Sequence, residues 1–106
     1  MKNVMYEKVI FRTEWNKYEN KTTFIAVFPD DESSCGNICM IPFSIENDCV
    51  VFEAFGEMSM EYYYQYTKLV KKNSNEAKKC LKVLTEHLNR IPNYNPVFRV
   101  MEKIMR

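Results

Sequence analysis

The sequence predicts an α+β fold: an antiparallel sheet of four to five strands, one main helix packed on one face, and a short C-terminal helix or strand. Three observations carry that expectation. Runs rich in β-branched and aromatic residues recur at Glu7 to Thr13, Thr22 to Phe28 and Cys49 to Phe55. Met58 to Thr67 alternates with a period of two, and Ala77, Cys80, Leu81, Leu84 and Leu88 recur at helical spacing. At 106 residues the chain is read as a single domain, residues 1–106, with enough length for one core unaided by disulfides or metal.

In chain order, Val9 and Phe11 oppose Lys8, Ile10 and Arg12, which suits a strand with one well-covered face. Glu14 to Lys21 is polar apart from Trp15 and Tyr18 and reads as a connection, with Trp15 near its tip either as a lid on the core edge or as an interface anchor. Thr22 to Phe28 is the second strand, stopped by Pro29 and two aspartates. Asp30 to Asn37 is turn chemistry; its three adjacent carboxylates lack the alternating order of a calcium loop. Cys39 to Ile45 is interrupted by Pro42, which suggests an edge or irregular strand. Cys49 to Phe55 is a strand ended by Gly56, and the alternating Met58 to Thr67 completes a second hairpin, with a tyrosine ladder on one face and Tyr63 exposed on the other. The main helix runs from about Ser74 to Leu88, with Asn73 and Glu76 in the form of a capping box. At the tail, Val97, Val100, Met101, Ile104 and Met105 fit a helix, whereas Val97 to Met101 also fits a last strand; the pattern alone leans to the helix.

Charge is unevenly spread. Residues 29–67 hold eight acids (Asp30, Asp31, Glu32, Glu46, Asp48, Glu53, Glu57 and Glu61) and no Lys or Arg, so the thirds of the chain carry net charges of +2, −8 and +7 within a total of +1. Aromatic residues interleave with these acids, so the segment folds rather than remaining an acidic tail. No apolar run reaches membrane-spanning length, and the opening residues lack the apolar core of a signal peptide, which points to a cytoplasmic protein with its four cysteines as thiols. A zinc site from Cys35, Cys39 and Cys49 with Cys80 or His87 lacks a second closely spaced ligand pair, so no metal or other cofactor is expected. No nucleophile and base pair, phosphate-cradling glycine loop or metal-binding helix is visible, and His87 reads as a structural residue near a helix end.

Lys8 to Arg12, Phe24 to Pro29, Cys39-Met40, and Tyr66-Thr67 ahead of a Lys- and Leu-rich helix resemble a set of short uncharacterised proteins of bacterial phages and other mobile elements. The resemblance implies a mobile-element accessory protein and a strand, not a helix, over Tyr94 to Met101. Together with the charge pattern it suggests a non-enzymatic protein-binding module, an antidefence inhibitor of which anti-CRISPR proteins are one kind. Its acidic, aromatic surface from Pro29 to Thr67 would meet a host protein with a basic, nucleic-acid-binding surface. The partner-binding residues expected are Asp30, Asp31, Glu32, Glu53, Glu57, Glu61, Tyr63 and Trp15, with Phe55 a further anchor. The alternative is a nucleic-acid-binding protein that uses Lys68, Lys71, Lys72, Lys78, Lys79, Lys82 and Arg90. A third expectation is a homodimer in which the acidic middle of one copy meets the basic helix of another.

Overall fold

The computed structural model describes residues 5–33 and 35–105; Met1 to Val4, which enter the reading of a missing leader, lie outside them, as do Ser34 and Arg106. The architecture is a curled, mixed seven-stranded sheet with a helix on each face, which corrects the expected sheet of four to five antiparallel strands under one helix. Three long strands form its middle: β1 (Met5–Asn16), β2 (Lys21–Glu32) and β3 (Ile38–Glu46), antiparallel in sequence order. Beyond β3 lie two short strands along the same edge, β4 (Cys49–Phe52) and β5 (Gly56–Met58). Beyond β1 lie β6 (Lys68–Leu69), antiparallel at Arg12 and Thr13, and β7 (Pro96–Val100), parallel along Met5 to Val9.

Several boundaries move from their sequence expectation for identifiable reasons. Strands β1 and β2 extend through Trp15 and from Lys21, because Asn16 Oδ1 accepts from the amides of Tyr18 and Glu19 and closes the connection within Lys17 to Asn20. Pro29 does not stop β2; the strand passes a bulge between Phe28 and Glu32 and ends in a turn where Gly36 has φ +81°. Nor does Pro42 relegate β3 to an edge. It faces the outer side of β3, where its carbonyl accepts from Glu53 N–H at 2.9 Å and it has no N–H to return, and there the outer partner breaks between β4 and β5.

The tail is a strand. Parallel pairing with β1 lets Phe98 bury while Val97 and Arg99 face outward, and Met101 N–H continues the ladder to the Val9 carbonyl at 2.8 Å. The main helix, α2 (Asn75–Leu88), has the expected buried stripe of Ala77, Cys80, Leu84 and Leu88, but Ser74 caps it, accepting from Ala77 N–H, in place of the Asn73 box.

The larger departure is Met58 to Thr67. Instead of a second hairpin strand, it forms α1 (Met60–Tyr66), capped by Ser59 Oγ accepting from Tyr62 N–H. The tyrosine ladder therefore does not exist: Tyr62 and Tyr66 pack on each other, Tyr64 is exposed, and Tyr63 is the buried residue.

Both sheet faces are covered. Val9, Phe11, Ala26, Phe28, Ile41, Phe43 and Phe98 pack under α2. On the opposite face Ile10, Ile25, Val27, Ile38 and Met58 pack with Tyr63 of α1, flanked by Met101 and Ile104 of the tail. The expectation of one well-covered face for β1 is corrected accordingly, since Ile10 is wholly buried too. Arg12, on the same face as Ile10, is also buried. It donates from Nε to Thr67 Oγ1 at 2.7 Å and from Nη2 to the carbonyls of Tyr63 and Thr67 at 3.1 and 2.8 Å, with its guanidinium 4.2 Å from the Tyr63 ring centroid. A buried cation with no carboxylate partner among the described residues is thus satisfied by the C-terminal carbonyls and dipole of α1 and by an aromatic face.

Candidate functional site

The eight acids of residues 29–67 are all exposed, but they do not form one surface. Asp30, Asp31 and Glu32 finish β2 beside the start of β3, and Glu57 pairs with Cys39 nearby. Glu46 and Asp48 lie at the far end of β3, Glu53 follows β4, and Glu61 is on α1. Burial, then Asp31 and Glu57, raise the Cys39 thiol pKa, an electrostatic sign that these two acids share a neighbourhood. Lys8 approaches Asp30 at 3.8 Å, and Lys21 bridges Glu19 at 2.9 Å and Glu46 at 3.7 Å. Asp31, Asp48, Glu53, Glu57 and Glu61 have no ion pair among the described residues.

Tyr63 was expected as an exposed anchor, yet it is 1% exposed beneath Arg12, so it cannot contact a partner. Trp15 is 59% exposed and does not serve as a lid; Phe55 is exposed to a similar degree. The alternative residues Lys71, Lys72, Lys78, Lys79 and Lys82 are all exposed, and none has an ion pair among the described residues. Lys78, Lys79 and Lys82 occupy the side of α2 away from the sheet, because Ala77, Cys80 and Leu84 take the inner side. The four cysteines do not converge: Cys80 is in the core, Cys39 is on β3, Cys35 is exposed in a turn, and Cys49 is exposed at the start of β4. Among the described residues no group of three or more metal-ligating side chains comes together.

The arrangement that sequence reasoning missed is the rim made by β4. The two-residue turn Asn47-Asp48, with φ of 47° and 64°, closes a tight hairpin between Glu46 and Cys49. In that register Cys49, Val51 and Glu53 point their backbone groups at β3, as the bond from Glu53 to Pro42 shows, and Val50 and Phe52 point theirs outward. No described strand pairs with that outer side.

Side chains alternate in the opposite sense. Val50 and Phe52 turn toward α2 and pack against the core, while Val51 is 57% exposed on the other face. Phe52 stacks on Phe43 at 4.8 Å and flat on the His87 imidazole at 3.9 Å, and Phe43 stacks on Phe24. An aromatic row therefore ties β2, β3, β4 and α2 together. Burial, and then Arg90, lower the His87 pKa, which favours the neutral ring at this helix end. Between β4 and α2 remains an open groove of about 490 Å³, lined by Val50, Val51, Phe52, Val83, Glu86, His87 and Arg90. Its signal in the sequence was Asn47-Asp48, a hairpin turn ahead of Cys49 to Phe52.

A second groove, of about 450 Å³, lies on the opposite face beside the β1–β2 hairpin, between Glu14, Thr23, Ile25, Met40, Pro42 and Glu53. Tyr62 donates to Glu14 beside it; that hydrogen bond, with burial, pushes the phenol up to about 12.

No family model matches the chain, and neither the curated proteins nor the solved structures contain a match to it.

Proposed function

We propose that the chain is a small protein-binding module that acts by contact, presenting carboxylates beside exposed apolar side chains to a basic surface of another protein. The observation that carries this reading is Asp48 and Glu53 at the two ends of β4, exposed beside Val51 and without an ion pair among the described residues. Exposed carboxylates outside any ion pair among the described residues steer encounter with a cationic surface and lose little on contact, because no ion pair must be broken first.

Contact rather than catalysis fits the state of the reactive side chains. Cys80 is pushed up to about 12 by burial with Glu76 nearby, Cys39 is raised, and the His87 ring is committed to Phe52. No helix among the described residues is long and apolar enough to cross a membrane, and free thiols suit a cytoplasmic setting. In the mobile-element setting that the resemblance implies, the partner is a host nucleic-acid-binding protein and the module is its inhibitor. Mixing the protein at low salt with nuclease–RNA complexes of a bacterial host tests this: co-elution that weakens as salt rises, with slowed cleavage, is expected. Neither co-elution nor inhibition removes the reading.

The exposed Lys78, Lys79 and Lys82, free of ion pairs among the described residues, favour nucleic acid as a second reading. Retention on DNA or RNA that collapses with salt would support it, with a lysine-to-glutamine triple variant losing the retention.

A further inference from the structure

We infer that the outer side of β4 is an acceptor for an extended segment of another protein, a strand with apolar alternate residues and basic residues at both ends. The inference rests on the protein-binding reading above and specifies how the partner docks. Three features of the rim carry it. Val50 and Phe52 direct N–H and C=O outward in the spacing that an added strand needs, and no described strand occupies that side. Beside them the groove under α2 offers Val50, Phe52 and Val83 to every second side chain of the incoming strand, with His87 as a flat wall and Glu86 and Arg90 at its mouth. Val51, exposed on the other face, meets the alternate side chains.

Charge selects the occupant. Asp48 precedes β4 and Glu53 follows it, so a strand added to this edge meets an exposed carboxylate at each end. Opposite charges facing each other stabilise a ladder and like charges destabilise it, so these two carboxylates favour a strand with Lys or Arg at those positions over one with acids there. Neither Asp48 nor Glu53 has an internal ion pair among the described residues to compete with such a strand. An isolated edge of four residues gives modest affinity, which the flanking charges raise.

The test uses the full chain and two labelled peptides of alternating valine and threonine, one ending in lysines and one in glutamates, followed by fluorescence anisotropy. The lysine-ended peptide is expected to bind, and the glutamate-ended one at least about tenfold more weakly. Val50→Pro removes an outward N–H that β3 does not use, so the fold should persist while affinity falls at least about tenfold. Where Val50→Pro fails to fold, the pair Asp48→Lys with Glu53→Lys decides: the peptide preference should invert. Equal binding of the two peptides by the natural chain, undiminished binding by a folded Val50→Pro, or a dimer that excludes the peptide would overturn the inference. Co-elution with a nuclease complex, unaltered by Val50→Pro, would overturn strand addition yet leave the protein-binding reading standing.

Discussion

The two faces of the sheet are closed by different means. Under α2, Val9, Phe11, Ala26, Phe28, Ile41 and Phe43 meet Ala77, Cys80, Leu84 and Leu88 with no buried charge among them. Fourteen residues of helix give a continuous apolar stripe, and removal of that stripe from water is sufficient to dock it. On the other face α1 has seven residues and buries only Tyr63. A helix this short is marginal in water, and Arg12 and Thr67 supply what the stripe cannot: hydrogen bonds to its last carbonyls, with Thr67 Oγ1 donating to the Tyr63 carbonyl at 2.5 Å. A short helix can thus be placed by one buried guanidinium, where a long one is placed by shape and apolar area.

The comparison can be broken in graded steps. Leu84→Ala, at a wholly buried position under α2, should cost about 3–4 kcal/mol in urea unfolding. Arg12→Met should cost about 2–3 kcal/mol, since the Thr67 carbonyl loses its guanidinium donor and the Tyr63 carbonyl keeps only Thr67 Oγ1, and Arg12→Lys should recover only part of it because an ammonium lacks the planar fork. If Arg12→Met is as stable as the natural chain, the polar account of the α1 face fails. Ser59→Ala removes the cap of α1 and should cost about 1 kcal/mol, with a loss of helical signal confined to that segment by NMR.

The smallest effect concerns acid. Because burial and Arg90 lower the folded-state pKa of His87, the unfolded chain takes up its proton first as pH falls. That contribution is fully present above the ordinary histidine value of about 6.5 and is lost as pH falls from there through the lowered native value. His87→Phe keeps the stack on Phe52 and should remove this part of the acid sensitivity; an unchanged stability profile below pH 6.5 would contradict the role given to the imidazole.

The face under α2 was the legible one. Its helix announces itself through Ala77, Cys80, Leu84 and Leu88 at a period that only a helix satisfies, and β2 announces itself through Phe24 to Phe28. The face under α1 was hidden because Met58, Met60, Tyr62, Tyr64 and Tyr66 alternate as a strand does, and tyrosine favours strands. Tertiary context overrode that preference: Ser59 caps, Glu61 sits in the first turn, and a single long-range contact from Arg12 fixes the end. Cap signals were in the sequence, but the Arg12 contact, fifty-five positions away from Thr67, was not. Likewise Asp48 and Glu53 were readable as acids, while their place at the two ends of an edge strand emerges only from the register with β3. The tail shows the same rule in reverse, since Val97 to Val100 satisfies two periods and the open edge of β1 decides between them.

Amide hydrogen exchange along β4 probes the proposed acceptor edge most directly. In the free protein Val50 and Phe52 should exchange rapidly while Val51 between them, bonded to β3, is protected, and addition of the lysine-ended peptide should slow both fast amides. Fast exchange at Val50 and Phe52 that persists with the peptide bound, or protection of both before any peptide is added, would contradict it.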